Sequence, residues 1–372
     1  DAASPRKYTR LHLMDTAGLR VLQGAYNCHN NGYRLHNVFA QKRGSTNSEL
    51  ESAFVALIEP YAGEPFITER KPLAIADNET DARRAVAVEV KTRNGHTDIL
   101  FADGQPDKTR KVGGLTVAGE YASYSIDAQG LRLASLVGGT LLAGPELRIK
   151  TATRELAGTV TKVDYLKKEI TIDAAWPAAL AGRICEIGTT NRTTSYTLVA
   201  ATPKSGKTVL TVDGGADHYQ SVINDLDETN GVVTCAIKTA LGKLPGLDRD
   251  FTASNEQMTK WWRADYMDEM QWKLTGAPVK AADFNPSRFL RIWEYGVGDR
   301  MRIGTDVAIR RVADGVYEVT GSANVALAFK AKGLEISSDQ KIWKSLPSRS
   351  DGEWCETDIA TDGHPQYLRR AK

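Results

Sequence analysis

Residues 85–91 read Ala-Val-Ala-Val-Glu-Val-Lys, and Asn94-Gly95 follows a few positions later. Val86, Val88 and Val90 point one way and Ala87 and Glu89 the other, which is the two-residue period of a strand. Asn tolerates a positive φ and Gly adopts one freely, so the pair that follows closes a tight hairpin. The same reading extends along the chain. Val325, Leu327 and Phe329 alternate in this way towards its end, and Asp103-Gly104, Asp213-Gly214, Asn230-Gly231, Asp314-Gly315 and Asp351-Gly352 punctuate the runs between. Short strands broken by such frequent turns predict an all-β protein of antiparallel β-sandwich domains, not a parallel sheet covered by helices.

Three blocks are expected. Residues 1–150 form the first part of a large antiparallel β-sandwich. Residues 151–240 hold a compact alternation at 158–165, 169–173 and 210–213, which reads as a small inserted β-meander or barrel. Residues 241–372 open with a Trp-rich segment and return to sheet. Within that segment Met258, Trp261, Trp262, Tyr266 and Met270 recur at three- and four-residue spacing. The spacing fits a short helix over 255–270, or a loop with aromatic contacts.

Composition narrows the function classes. The 372 residues leave room for two or three domains, and 41% apolar content is enough for substantial cores. Lys plus Arg number 48 against 46 Asp plus Glu, a net charge of +2 that gives no field for steering onto nucleic acid. No uninterrupted apolar run is long enough for a membrane-spanning helix. The sequence opens at Asp1 with no basic-then-apolar leader. A removed signal or a longer precursor is therefore expected, and with it a secreted protein, extracellular or periplasmic.

Cys28, Cys185, Cys235 and Cys355 include no Cys-x-x-Cys pair, which disfavours a zinc ribbon or a thioredoxin-like site. Cys185 and Cys235 lie in apolar runs, either as two buried thiols or as a disulfide between them. The stretch 203–208 ends in Gly-Lys-Thr but lacks the first glycine of a phosphate-binding loop. There is no Gly-x-Ser-x-Gly elbow, no His-Glu-x-x-His and no Asp-x-Asp-x-Asp-Gly loop. No cofactor, no metal ligand and no catalytic residue is assigned.

Two clusters carry candidate chemistry. In 27–36, His29, Tyr33, Arg34 and His36 fall within ten residues. Tyr or His there is suited to removing the acidic proton beside a uronate carboxylate, with Arg34 neutralising that carboxylate. The same residues also read as a polar loop ahead of a strand entering at Val38-Phe39. The second cluster is Trp261-Trp262-Arg263-Ala264-Asp265-Tyr266. Adjacent tryptophans cannot both face one core in either regular period, so one of them meets solvent or another domain. Flat rings suit sugar faces and Arg or Asp suits hydroxyls and carboxylates, while packing at a domain interface is the competing use. Trp261, Trp262, Arg263 and Tyr266 are the substrate-contact candidates here.

Several stretches together resemble the β-rich C-terminal half of heparinase II/III-like polysaccharide lyases. The most specific is 52–67, Ser-Ala-Phe-Val-Ala-Leu-Ile-Glu-Pro-Tyr-Ala-Gly-Glu-Pro-Phe-Ile, which is similar to a strand and turn of that family. The meander over 158–173, continuing to 191–196, is similar to an inserted β module of some members. Residues 294–299 and the strand at 307–312 resemble it as well. The resemblance implies a β portion that normally follows an α-helical toroid of the same precursor, with polysaccharide as the partner. It implies cleavage of uronate-containing chains by β-elimination, with the catalytic residues mostly outside the segment matched. No His-x-His run followed by Gly-Ser/Thr-Phe occurs, so no catalytic residue carries over by motif. A non-catalytic extracellular carbohydrate-binding or surface-assembly protein with a lyase-derived β fold is the alternative.

Overall fold

A computed structural model of the chain describes residues 6–14, 17–28, 33–44, 52–188, 193–239, 250–322, 324–361 and 364–371. The protein is all-β; the helices among the described residues are two 3₁₀ turns, Ala178–Leu180 and Ala281–Phe284. The chain divides into two compact units, residues 1–154 with 305–361 and 365–372, and residues 155–304 with 362–364.

The alternation at 85–91 is a strand, Val86–Thr92, paired antiparallel with Thr97–Ala102, and Gly95 between them has φ +79°. Ala85 and Ala87 join a core with Phe101, and Val88 and Val90, on the alternate positions, are buried too. Asn230-Gly231, Asp314-Gly315 and Asp351-Gly352 close hairpins in the same way, with glycine φ of +64°, +65° and +62°. Two of the expected turn pairs serve other ends. Asp213-Gly214 carries the chain from the strand Lys207–Val212 to Asp217–Asp227, which belong to different barrels. Asp103 turns its carboxylate inward to the guanidinium of Arg110, 2.8 Å from Nε.

The first unit is built on a fifteen-stranded sheet. Its spine is the long antiparallel pair Leu115–Asp127 and Gly130–Ala143. The other edge of Gly130–Ala143 takes two partners in succession: residues 133–137 pair with Asp306–Ala313, and 141–143 with Leu147–Thr151. Between them, a Cβ on Gly139 would lie 2.5 Å from the Ala118 carbonyl oxygen and 2.7 Å from the Cα of Gly119. Only glycine permits that approach, and the sheet splits there into two branches. Leu147, Ile149, Leu327 and Phe329 from one branch share a single core with Val307, Ile309, Tyr317 and Val319 from the other. Two separate ribbons of two strands complete the unit: Lys7–Leu13 with Ala56–Ala62, and Leu19–Cys28 with Tyr33–Lys42.

The second unit is two closed six-stranded barrels. The first runs Glu155–Asp164, Glu169–Ile172, Lys207–Val212, Thr193–Lys204, Ile184–Gly188 and Arg300–Gly304 around the ring. The second runs Asp217–Asp227, Val232–Cys235, Gln271–Thr275, Trp261–Tyr266, Phe251–Asn255 and Phe289–Trp293. Closure leaves no strand edge open, which is how small antiparallel sheets bury their interiors. The second barrel is inserted before the strand that closes the first. The inserted region therefore spans 155–304 and crosses the expected boundary at 240. Residues 255–270 are not helical. They are the end of one strand, a turn with Met258 at φ +55°, and the strand Trp261–Tyr266.

Cys185 lies in the core of the first barrel and Cys235 in that of the second, and both are free thiols. Burial pushes the Cys185 thiol up to about 12. Neither is therefore a thiolate at neutral pH, and both act as small hydrophobes.

Candidate functional site

The strand Trp261–Tyr266 is the seam between the two barrels. Trp262 points into the second, stacked on Phe284 with centroids 5.0 Å apart, and its Nε1–H donates to the Pro278 carbonyl at 3.3 Å. Trp261 points the other way and packs against the core of the first barrel, tilted over Tyr165 at 6.4 Å. Tyr165 in turn stacks on Trp293 at 3.7 Å with an interplanar angle of 4°, and its hydroxyl donates to the Tyr295 carbonyl. The neighbouring tryptophans thus divide between two cores. Tyr266 sets its ring against the edge of Trp272.

Arg263 is committed as well. Its guanidinium pairs with Asp299, which is 1% exposed, and donates to Thr252 Oγ1 at 3.1 Å. The other carboxylate oxygen of Asp299 accepts from Gly296 N–H at 2.7 Å and from the Thr252 hydroxyl at 3.0 Å. Burial pushes the Asp299 carboxyl up, against the opposing pull of Arg263 and these donors. The turn 296–299 also exchanges backbone hydrogen bonds with Val160 of the first barrel, so the pair fastens the barrels together. The candidate sugar contacts Trp261, Trp262, Arg263 and Tyr266 are thereby occupied in packing.

Of the N-terminal candidates, His29 lies outside the described residues. Tyr33 and Arg34 open the strand Tyr33–Lys42, opposite Cys28 and Asn27, and His36 is exposed opposite Ala25.

A polar row that the sequence reading passed over lies on the other ribbon. Antiparallel pairing of Lys7–Leu13 with Ala56–Ala62 sets Tyr8 opposite Tyr61 and Arg10 opposite Glu59. Alternation then puts Tyr8, Arg10, His12, Glu59 and Tyr61 on one face. Tyr8 and Tyr61 stack with centroids 5.3 Å apart, and the Arg10 guanidinium lies 5.4 Å over the Tyr61 ring. Glu59 is fully buried. Gly63, at φ +76°, reverses the chain so that Phe66 N–H and Ile67 N–H both donate to Glu59 Oε1 at 2.7 Å. His12, 4% exposed, lies with Nε2 2.9 Å from the other oxygen, and Arg10 is 3.7 Å from it.

Burial alone would raise the Glu59 carboxyl. The N–H groups of Ile67 and Phe66, with His12 and Arg10, outweigh it and hold the carboxyl below its ordinary value. The site is therefore anchored from beneath by a carboxylate that stays ionised, while Arg10 keeps 44% of its side-chain surface in solvent. A depressed carboxyl stabilises the fold above its unfolded-state value, and that contribution is lost as pH falls through the folded one. The protection of the Phe66 and Ile67 amides against hydrogen exchange, taken relative to their intrinsic rates, should accordingly be high near neutrality and fall as acid titrates Glu59. Unchanged protection of those amides through that titration would show that Glu59 does not hold the turn.

No family model, curated protein or solved structure matches this chain. Among the described residues no group of three or more His, Cys, Asp or Glu is placed to hold a metal ion. No helix among them is long and apolar enough to cross a membrane. What the arrangement offers chemically is an oriented, half-exposed guanidinium beside one exposed phenol ring, Tyr8, and one half-buried ring, Tyr61. A planar fork of donors suits a carboxylate, and flat rings suit the C–H face of a sugar.

Proposed function

We propose that the chain is the β portion of a secreted polysaccharide lyase of the heparinase II/III-like kind. In this reading it binds uronate-containing polysaccharide in the extracellular or periplasmic space and forms one wall of the cleft, while the groups for β-elimination come from an α-helical toroid of the same precursor. The observation that supports it is the Tyr8–Arg10–Tyr61 face set over the buried Glu59. Arg10 takes the uronate carboxylate and Tyr8, 44% exposed, takes the sugar ring. His12 is nearly inaccessible and engaged with Glu59, so it braces the site and is not poised to remove a substrate proton. The opposite face of the same ribbon leaves Leu11 and Ile58 42% and 69% exposed, an apolar surface of the kind a neighbouring helical domain would cover.

Calorimetric titration with an oligogalacturonate tests this. Arg10→Ala should weaken binding about tenfold or more, and Arg10→Lys should be intermediate because an ammonium cannot present the bidentate fork. A neutral galactose oligomer should bind neither protein. Equal affinity of the wild type and Arg10→Ala for the oligogalacturonate would overturn the reading.

A further inference from the structure

One edge of the large sheet is made by Gln366–Arg370, Leu334–Ser337 and Lys344–Ser345, in that order outward. The register sets Ile336 between Leu368 on one side and Lys344 on the other. Leu368 belongs to the core and Ile336 packs against it. Gln366, two residues before Leu368, turns the same way. Together with the loop 338–342 these side chains line a pocket of about 310 Å³, whose walls include Ile336, Ser338, Asp339, Ile342, Lys344 and Gln366. That volume is at the small end for ligand pockets, enough for one sugar but not for a chain.

The loop is held by one oxygen of one side chain. Asp339 Oδ1 accepts from Lys341 N–H at 2.8 Å, from Ile342 N–H at 3.1 Å and from the Ser337 hydroxyl at 3.0 Å. Gln340, at φ +61°, makes the turn, and its carbonyl accepts from the Trp343 indole N–H at 3.1 Å. The Arg369 guanidinium in turn lies 4.3 Å over the Trp343 ring. The N–H groups of Ile342 and Lys341, with the Ser337 hydroxyl, hold the Asp339 carboxyl below its ordinary value, so it is ionised at neutral pH. All three donors meet Oδ1, and among the described residues none reaches Oδ2. Lys344 has no carboxylate within ion-pair distance among those residues, and the Gln366 side-chain amide has no hydrogen-bond partner there. The pocket thus sets an uncommitted cation, a carboxylate oxygen and an amide around two isoleucine side chains.

We infer that this pocket binds one sugar acid, either free or as the end residue of a chain, apart from the Tyr8–Arg10–Tyr61 face. The sugar's carboxylate pairs with Lys344, and its hydroxyls donate to Asp339 Oδ2 and to the Gln366 side-chain carbonyl. Its C–H groups pack on Ile336 and Ile342. That the acid is a uronate rests on the reading of the chain as a uronate-polysaccharide binder; the pocket itself calls only for an anionic group beside hydroxyls.

The test follows amide chemical shifts of the labelled full chain with galacturonate, galactose and an oligogalacturonate. Galacturonate should shift the Gln366 side-chain amide and the backbone amides of 339–342 saturably, and galactose should not. Lys344→Ala should weaken that binding about tenfold. Ser338→Phe, at an exposed position, fills the pocket without removing Lys344, Asp339 or Gln366, and should abolish the shifts. Arg10→Ala should leave them in place. The same shifts with the oligogalacturonate would identify a chain end as the ligand, and shifts with the monomer alone would identify the free acid. Shifts that galactose reproduces, or that survive both Lys344→Ala and Ser338→Phe, would overturn the pocket. So would 339–342 staying unmoved with both acids, and saturable shifts at Tyr8 and Arg10 would then leave the ribbon face standing. Pocket shifts with Tyr8 and Arg10 unmoved by the oligogalacturonate would overturn the ribbon face and keep the pocket.

Discussion

Replacement of Arg110 by methionine is expected to cost about 4–5 kcal/mol of folding free energy. The side chains of Arg110 and Asp103 are 3% and 1% exposed, and their ion pair is 2.8 Å long. Arg110 also reaches Glu79 and donates to the Asp77 carbonyl at 3.1 Å. Methionine fills a similar volume but leaves the Asp103 carboxylate buried without its cation, and that desolvated charge dominates the loss. The Glu79 carboxyl, held down to about 2 by Lys108 and Arg110, is more accessible and rehydrates more cheaply. Urea unfolding of the wild type and variant measures the difference. Adding Asp103→Asn to the variant should recover part of it, since an amide tolerates burial better than an unpaired carboxylate. A midpoint within error of the wild type would mean that Arg110 is not the brace of this corner.

Asp299→Ala should cost about 3 kcal/mol, the low end for breaking a buried pair. The reason it falls below Arg110 is the partner left behind: the Arg263 side chain is 29% exposed and can be hydrated in place. Gly296 N–H and the Thr252 hydroxyl lose their acceptor at the same time. Because these groups come from both barrels, the loss should appear first at the seam, as a change in the fluorescence of Trp261 and Trp293 at lower urea than global unfolding. Asp299→Asn keeps an acceptor for those donors and should cost less. Coincident loss of seam and global signals at the wild-type midpoint would count against Asp299 as the fastener.

How far the sequence alone reached can be traced strand by strand. Val86, Val88 and Val90 alternate and are followed by Asn94-Gly95, so a local signal led to a local hairpin. The meander of the first barrel was legible for the same reason. The second barrel was obscured because Trp262 is buried on one face of its strand while Trp261, half-buried, packs on the other, which erases the alternation of polar and apolar positions. The nesting was also hidden, because Glu155–Asp164 closes its ring with Arg300–Gly304, far along the chain. Glycine at 139 marks the split of the large sheet, but only the Cα of Gly119 opposite it reveals why. The polar row depends on residues 47 positions apart, His12 and Glu59. Its trace in the sequence is slight, Arg10-x-His12 on one strand and Glu59-x-Tyr61 on another. Clusters contiguous in sequence are easier to see, and one of those, around Arg263, is a joint between barrels.

In the proposed function the Tyr8–Arg10–Tyr61 face is where this chain meets uronate polysaccharide. The most direct measurement is an amide chemical-shift map of the labelled chain titrated with an oligogalacturonate. Saturable shifts are expected at Tyr8, Arg10, Glu59 and Tyr61, absent with the neutral oligomer and reduced by salt. Shifts that leave all four residues unmoved while others saturate would contradict it.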